Sequence, residues 1–343
     1  MRRIPGYVIL EQSGELKDRI ELAYRMLQSC QMCGHRCSVD RLHGHLGRCR
    51  TGILPRLFTY GPHFGEEPPL SAGNGSGTIF FSRCNLSCVY CQNFPFSQSD
   101  EGNDLTPQEL GQIFLLLQEQ GCLNINLVSP THLLAPILAA LQIAVRGGLH
   151  VPIVYNTNGF ETVESLSLLD GLIDIYLPDM RYGADDTANR YSGANNYVQV
   201  NRTAVAEMWR QVGRLQVEDD AAVRGLIIRH LVLPEHLEET RAVLNWIASY
   251  FPPTVTVSLM MQYDPVHKAY QYPTINRSLT YEERQAAIRL LDEAGIDRGW
   301  TQELSHENDR SFLGSRFTKR SVLQSNCGGE TGGPIAPIPM SEG

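Results

Sequence analysis

The chain has 343 residues, of which 42% are hydrophobic and 19% charged, and its formal net charge is −8. This length predicts two domains or one large α/β domain with additions, and an acidic balance without a long basic run argues against nucleic acid as a partner. The apolar stretch at the N-terminus is short and charged residues soon follow it, so it does not match a secretory signal. No apolar run reaches the roughly 18 residues that a membrane span needs, so we expect no membrane contact and a cytoplasmic location.

Residues 1–65 are predicted to form a small cysteine-rich extension. It contains Cys30, Cys33, Cys37 and Cys49 in the spacing C-x2-C-x3-C-x11-C. In a reducing compartment, closely spaced thiols indicate metal ligands rather than disulfides. Four soft ligands suit a closed structural zinc site or an auxiliary iron–sulfur cluster, and the spacing does not choose between them. Because this extension holds little apolar sequence, we expect it to need such a site to fold.

Residues 75–300 alternate between short apolar segments and helical patterns. Six strands are predicted, at 77–84, 124–130, 152–159, 174–179, 225–234 and 256–263. Helices follow them, two of which begin with a capping box, Thr106 with Glu109 and Thr280 with Glu283. Six βα repeats predict a parallel sheet, either doubly wound or curved into a barrel, with ligands at the carboxyl ends of the strands.

A second cysteine group leaves the carboxyl end of the first predicted strand, where a ligand site is expected. Cys84, Cys88 and Cys91 follow the pattern C-x3-C-x2-C. Three thiolates leave one iron of a 4Fe–4S cube without a protein ligand, and such an open position is where a substrate or cofactor binds. The alternative is a structural metal site that takes its fourth ligand from elsewhere in the chain. The remaining Cys122 is predicted to be buried in the core.

The three-cysteine motif, with Tyr90 before its last cysteine, resembles the signature of the radical S-adenosylmethionine (radical SAM) enzymes. Over residues 75–300 the chain is most similar to the pyruvate formate-lyase activating enzymes, in a branch with extra N-terminal cysteines. The resemblance implies a partial (β/α)6 barrel, a 4Fe–4S cluster and S-adenosylmethionine, with Tyr90 among the cofactor-binding residues. It also implies an electron donor such as flavodoxin or ferredoxin. In such enzymes the open iron chelates the methionine amino and carboxylate groups, and reductive cleavage gives a 5′-deoxyadenosyl radical that abstracts hydrogen.

The resemblance also assigns polar residues at the ends of the second and third strands to the cofactor. Ser129 and Thr131 stand where the family has a Gly-Gly-Glu-like turn that receives the methionine amino group. Asn156 and Asn158 belong to "NTNG", which is similar to the family's "DTNG" and implies contacts with ribose or methionine. An Asn-Gly turn that closes the strand is the alternative interpretation of Asn158.

Two later strands carry charged residues that the resemblance places over the same site. "DIYLPDMRY" is similar to the activating enzymes' "LDLK" strand end and so places Asp179 and Arg181 there. "IIRHLVLP" is similar to "IRYVVVP", which makes Arg229 the partner of the methionine carboxylate. Independently of any resemblance, a charged residue within an otherwise apolar strand needs a buried partner, either this ligand or an internal acid such as Asp179.

These observations predict an oxidoreductase that cleaves S-adenosylmethionine, with no catalytic residue assigned from the sequence. Its target is either a glycyl radical enzyme, which it activates, or a small molecule or peptide that it modifies directly. A non-catalytic iron–sulfur or zinc protein is the alternative from another class, and the charged strand ends argue against it. Residues 301–343 are predicted to form a C-terminal extension whose Gly- and Pro-rich end, after Cys327, is disordered.

Overall fold

The computed structural model describes residues 4–302 and shows a mixed α/β fold built on one mostly parallel sheet. Between these residues the chain forms ten strands. They are β1 (Arg56–His63), β2 (Ser76–Phe81), β3 (Asn103–Asp104), β4 (Ile125–Val128), β5 (Ile153–Thr157), β6 (Ile175–Pro178), β7 (Gln216–Glu218), β8 (Ala221–Leu231), β9 (Thr256–Met260) and β10 (Gly299–Gln302). The predicted C-terminal extension lies outside the described residues apart from its first two.

Eleven α-helices occur in the same range. They are α1 (Gly6–Ser13), α2 (Glu15–Met26), α3 (Pro68–Ser71), α4 (Phe94–Ser97), α5 (Pro107–Glu119), α6 (Leu134–Arg146), α7 (Val163–Ser167), α8 (Asp185–Ser192), α9 (Tyr197–Val212), α10 (Leu237–Tyr250) and α11 (Tyr281–Glu293). Both predicted capping boxes are present. In α5, the Glu109 amide donates to Thr106 Oγ1 at 3.2 Å while the Glu109 carboxylate accepts from the Thr106 amide at 2.7 Å.

The sheet runs in the order β10-β9-β8-β6-β5-β4-β2-β1-β3, with β7 paired to β8 outside this path. All six predicted strands are present as β2, β4, β5, β6, β8 and β9, and every pair of neighbours among them is parallel. Every residue of β2, β4, β5 and β6 is buried, as expected for parallel strands covered on both faces. The prediction of a partial (β/α)6 barrel is confirmed, and β10 adds a parallel strand that was not predicted.

An antiparallel strand, β1, precedes the barrel and fixes where the following loop enters it. His63, the last residue of β1, pairs with Ser76, the first residue of β2. The connection between β1 and β2 therefore starts beside the end of β2 that is opposite the cysteine loop. It carries α3, whose Leu70 is fully buried against strand residues such as Ile227. This segment is buried against the sheet through Leu70 and Glu67, and Glu66 beside them contacts Asn156.

The N-terminal helices pack on α6 and share the main hydrophobic core. Tyr7, Leu16 and Leu27 are fully buried in the same cluster as residues of α5 and α6. The Tyr7 hydroxyl donates to the Val151 carbonyl at 2.7 Å. Packing against α6 therefore supplies apolar burial that the first 60 residues could not provide alone.

We predict that Leu16→Ala lowers the free energy of unfolding by about 2–5 kcal/mol, because Leu16 is fully buried in the shared core. The same change at Leu22, on the same helix but 42% exposed, should have an effect below about 0.5 kcal/mol. Thermal or urea unfolding of both variants measures the difference. Equal effects would contradict docking of the extension on the barrel.

Candidate active site

A cavity of about 730 Å³ opens at the carboxyl ends of the parallel strands. This volume is within the range that holds a small-molecule ligand. Ten of the residues predicted to form the site line it, and they come from the cysteine loop and from strands β4, β5, β6 and β8 or the turns that follow them. These residues are Cys84, Cys88, Tyr90, Cys91, Ser129, Asn156, Asn158, Asp179, Arg181 and Arg229.

Hydrogen-bond donors surround the three sulfur atoms of the cysteine loop. The Leu86 amide and the Asn158 side chain each donate to Cys84 Sγ at 3.4 Å. The Ser192 hydroxyl donates to Cys88 Sγ at 2.9 Å. Ser97 Oγ lies 3.1 Å from the sulfur of the third cysteine. Such donors stabilise thiolates and tune the potential of a cluster bound to them.

Burial and the charges of neighbouring sulfurs raise the pKa of two of these thiols, those of Cys84 and Cys91. Burial, followed by the negative charges of Cys88 and Cys91, raises the pKa of Cys84 to about 12. Burial and Cys88 raise the pKa of Cys91 to about 11. Because thiolates repel one another, the donor chemistry of this loop suits a positively charged iron centre, whose binding would release the thiol protons.

Tyr90 belongs to a chain of hydroxyl groups that supports the cysteine loop. Its hydroxyl lies 2.5 Å from that of Tyr182, which in turn lies 2.6 Å from Ser192 Oγ. Ser192 then donates to Cys88, so the chain ends on a predicted cluster ligand. The Tyr90 ring also packs edge-on against Tyr263 at 5.8 Å. These contacts give Tyr90 a positioning role at the loop in addition to its place on the cavity wall.

The Arg229 guanidinium lies among acidic partners inside the barrel. Its Nε donates to Asp179 Oδ1 at 3.0 Å, and its Nη1 lies 3.5 Å from Glu66 Oε2. Its Nη2 donates to Asn156 Oδ1 at 2.5 Å. Asp179 also pairs with Arg181. Arg229 therefore has internal acids as partners, the alternative that the sequence left open beside the methionine carboxylate.

Glu66 and Glu67 line the cavity and were not predicted from the sequence. Burial raises the pKa of both carboxyl groups, and Arg229 partly opposes the increase. They lie 163 and 162 positions before Arg229, on the loop that follows β1. Their sequence signal is weak: two adjacent acids precede "PPL", and nothing in this pattern indicates that they line a cavity.

Thr131 does not line this cavity. Its hydroxyl donates to Glu161 Oε1 at 2.5 Å and lies 3.4 Å from Thr157 Oγ1. It borders instead the small cavity beside the second cysteine group. Ser129, at φ 55°, is the residue of the "SPTH" turn that faces the large cavity.

The second cysteine group surrounds a small cavity of about 20 Å³, bordered by all four thiols. Burial is the main cause that raises the pKa of Cys33 to about 12. A backbone hydrogen bond from His35 opposes the increase, and the charges of Cys49, Cys30 and Cys37 add to it. A volume near that of one water molecule favours a single ion over a four-iron cube. As the side chains stand, no group of three or more His, Cys, Asp or Glu residues within 4–302 is arranged to hold one metal ion. The donor chemistry, rather than a preformed geometry, is what fits a metal at either cysteine group.

Comparison with known proteins identifies the class to which this fold and site belong. Residues 78–264 match the family model of the radical SAM superfamily. An uncharacterized protein of Methanocaldococcus jannaschii is 34% identical over 290 residues, which are 81% of this chain and 79% of that protein. The chain belongs to the radical SAM superfamily, whose members are enzymes that use a 4Fe–4S cluster and S-adenosylmethionine and need a reductant.

Solved structures show more distant similarity. SuiB of Streptococcus suis aligns at 10% identity with a TM-score of 0.45, over 70% of this chain and 52% of SuiB, so the chain spans about half the length of that protein. A spore photoproduct lyase variant aligns at 12% identity with a TM-score of 0.44, over 65% of this chain and 74% of the lyase. Separately, no helix among residues 4–302 has the length and apolar character to cross a membrane.

We predict that replacing Cys84, Cys88 or Cys91 with Ala lowers the iron and sulfide content of anaerobically reconstituted protein by one 4Fe–4S cluster. Each substitution removes one of three thiolate ligands. Cys122→Ala is the matched control, because Cys122 is buried in the main core away from the cavity. Chemical iron analysis and the visible absorption spectrum measure the effect. Unchanged cluster content in all three variants would refute the assignment.

We predict that the double variant Cys30→Ala/Cys33→Ala loses a second metal and melts at a lower temperature, while the cluster of the 84–91 loop remains. Two of four donors are removed, and Cys30 also packs in the main core. Metal analysis for zinc and iron, together with thermal unfolding, tests both parts. Simultaneous loss of both metals would instead show that the two sites are interdependent.

Proposed function

We propose that this radical SAM enzyme binds its cluster through Cys84, Cys88 and Cys91 and abstracts hydrogen from a substrate in the 730 Å³ cavity. When bound, the cluster and S-adenosylmethionine supply a 5′-deoxyadenosyl radical. The observation that carries the proposal is the convergence of these cysteines with polar ends of four parallel strands on one cavity. Catalysis of this kind needs both a metal site and adjacent groups that orient an organic ligand.

The polar residues of the cavity have separate roles in this proposal. Ser129 and Asn156 offer hydrogen bonds to the methionine or ribose part of the cofactor. Arg229 and Arg181 face the anionic methionine carboxylate, and Asp179 holds the two guanidinium groups in position. Asn158 supports the cluster through Cys84.

For the target, we propose direct modification of a small molecule or peptide. The buried carboxyl groups of Glu66 and Glu67 favour this function, because the backbone of a target glycine offers no group that would need them. Activation of a glycyl radical enzyme is the second candidate. It is favoured by the similarity of "NTNG" and "DIYLPDMRY" to the strand ends of activating enzymes.

Anaerobically reconstituted protein, reduced with dithionite, should convert S-adenosylmethionine to 5′-deoxyadenosine and methionine. Arg229→Ala should keep its cluster but lose about 2–5 kcal/mol of cofactor binding, the range for removing one member of a buried charged pair. Its 5′-deoxyadenosine formation should fall at limiting cofactor and partly recover at high concentration. The variant should also lose about 3–5 kcal/mol of stability, because Asp179 and Glu66 lose a shared cation.

Cofactor titration, product analysis and thermal melting of one preparation separate these effects. Arg289→Ala is the control, since Arg289 is exposed on α11. Normal cofactor binding with a lowered melting temperature would assign Arg229 to the scaffold alone. Absence of 5′-deoxyadenosine from cluster-loaded, reduced wild-type protein would contradict the proposed function.

A further inference from the structure

The interior of the cavity contains a carboxyl group without a partner. Glu67 is 1% exposed, and neither of its carboxyl oxygens has a hydrogen-bond partner. Burial raises the pKa of Glu67, whereas Arg229, the backbone amide of Glu67 and the Ser258 hydroxyl lower it. Ser258 Oγ itself has no hydrogen-bond partner. Leaving a buried carboxylate unpaired is costly, so proteins rarely retain one without a use for it.

The surroundings of Glu67 show that its side chain points into the barrel. Arg229 on β8, Glu66 and Ser258 on β9 all affect the pKa of Glu67, so its side chain lies close to theirs. Arg229 affects Glu67 through its charge, but its hydrogen bonds go to Asp179, Glu66 and Asn156. Glu66, in contrast, is paired with Arg229 and accepts from the Asn156 amide at 3.4 Å.

The charges that line the cavity do not balance. Among residues 4–302 they are three carboxyl and two guanidinium groups, from Glu66, Glu67, Asp179, Arg181 and Arg229. His63 also lines the cavity, and burial lowers its pKa, which favours its neutral form. If all three acids are ionised, they exceed the two guanidinium groups by one charge, whereas burial raises the pKa of Glu66 and Glu67 and so favours their neutral forms. A cation bound beside Glu67 would favour its ionised form.

The segment that carries Glu67 starts beside Ser76, at the end of β2 opposite the cysteines. Its neighbouring acid, Glu66, contacts Asn156 and Arg229, which line the same cavity as the cysteine loop. A ligand at Glu67 therefore lies in the same cavity as the predicted cluster, on the wall that this segment forms.

We propose that the Glu67 carboxylate binds a protonated amine of the substrate, with Glu66 and Ser258 beside it. The inference rests on the proposed function and names its substrate class, an organic ammonium compound or an amine-bearing side chain. An ammonium group can donate three hydrogen bonds, enough for both oxygens of Glu67 and the Ser258 hydroxyl. A charge-assisted contact of this kind would also fix the orientation of the substrate within the cavity.

The first test compares Glu67→Gln with the matched variant Glu66→Gln at pH 8. If Glu67 awaits a ligand cation, removing its unpaired charge raises the melting temperature of the ligand-free protein by a few degrees. Removing the charge of Glu66 breaks its ion pair with Arg229 and lowers the melting temperature. A lowered melting temperature in both variants would give Glu67 a structural role and overturn the proposal.

The second test uses n-butylammonium as the probe, with butan-1-ol as a neutral molecule of similar size. Cluster-loaded protein saturated with S-adenosylmethionine should show a saturable rise in melting temperature with n-butylammonium and none with butan-1-ol. In Glu67→Gln the affinity for n-butylammonium should fall at least about tenfold, the scale of one lost charged contact. Equal responses to the amine in wild type and variant would overturn the proposal.

Cofactor titration of Glu67→Gln separates the substrate from the cofactor. Loss of S-adenosylmethionine binding in this variant would place Glu67 in the cofactor site and also overturn the inference. Failure of the proposed function has a different signature, since it appears as absent 5′-deoxyadenosine in wild-type protein. Amine binding can be measured by melting in either case, so the two failures are distinguishable.

Discussion

The interior of the barrel is organised around one half-buried guanidinium, that of Arg229, whose side chain is 15% exposed. Its acidic partners are 50 and 163 positions away in the sequence, and the fold brings them within 3.0 and 3.5 Å. In a low-dielectric interior, a charge of this kind is tolerated only when its neighbours neutralise and hydrogen-bond it. The backbones of Asp179 and Arg229 also pair as an isolated parallel β-bridge. The ion pair between their side chains therefore depends on the register of the sheet. A one-residue shift in β8 would turn Arg229 to the other face, which would leave Glu66 without this ion pair and Asp179 with Arg181 alone.

Features encoded by short-range physics were predictable from the sequence. Continuous apolar segments between turn residues gave all six predicted parallel strands, and the capping boxes gave the starts of α5 and α11. Because parallel strands end on one side, polar residues at successive strand ends could be expected to meet, and Asn156, Asp179 and Arg229 do so. The short spacing of the cysteine loop likewise guaranteed that its thiols would be neighbours.

Features that depend on distant packing were not predictable. Strand β10 has four residues, and within residues 4–302 its pairing partner is β9. Its sequence shows no alternation of apolar and polar residues that would predict a strand. Glu66 and Glu67 precede the barrel, and nothing near them in the sequence shows that they enter its interior. For Thr131 the difficulty was the direction of the side chain, since one residue separates it from Ser129 and the two residues border different cavities. A motif comparison locates such a turn, but it does not orient each side chain.

The two cysteine groups are connected through a short hydrogen-bonded path. His35, between Cys33 and Cys37, bonds the Asn85 carbonyl through Nε2 at 2.7 Å. The Asn85 side chain accepts from Asn158 at 2.7 Å, and Asn158 also donates to Cys84 Sγ.

Gly34 makes this approach possible, because a β-carbon there would lie 2.4 Å from the Phe160 ring. The Gly34 amide donates to the Phe160 carbonyl at 3.0 Å, which fixes the extension against the turn after β5. That turn carries Asn158, so the backbone that holds the second cysteine group also positions a donor to the first. The extension is therefore part of the wall that supports the cluster loop, through the Gly34 amide and the His35 ring rather than through its four thiols.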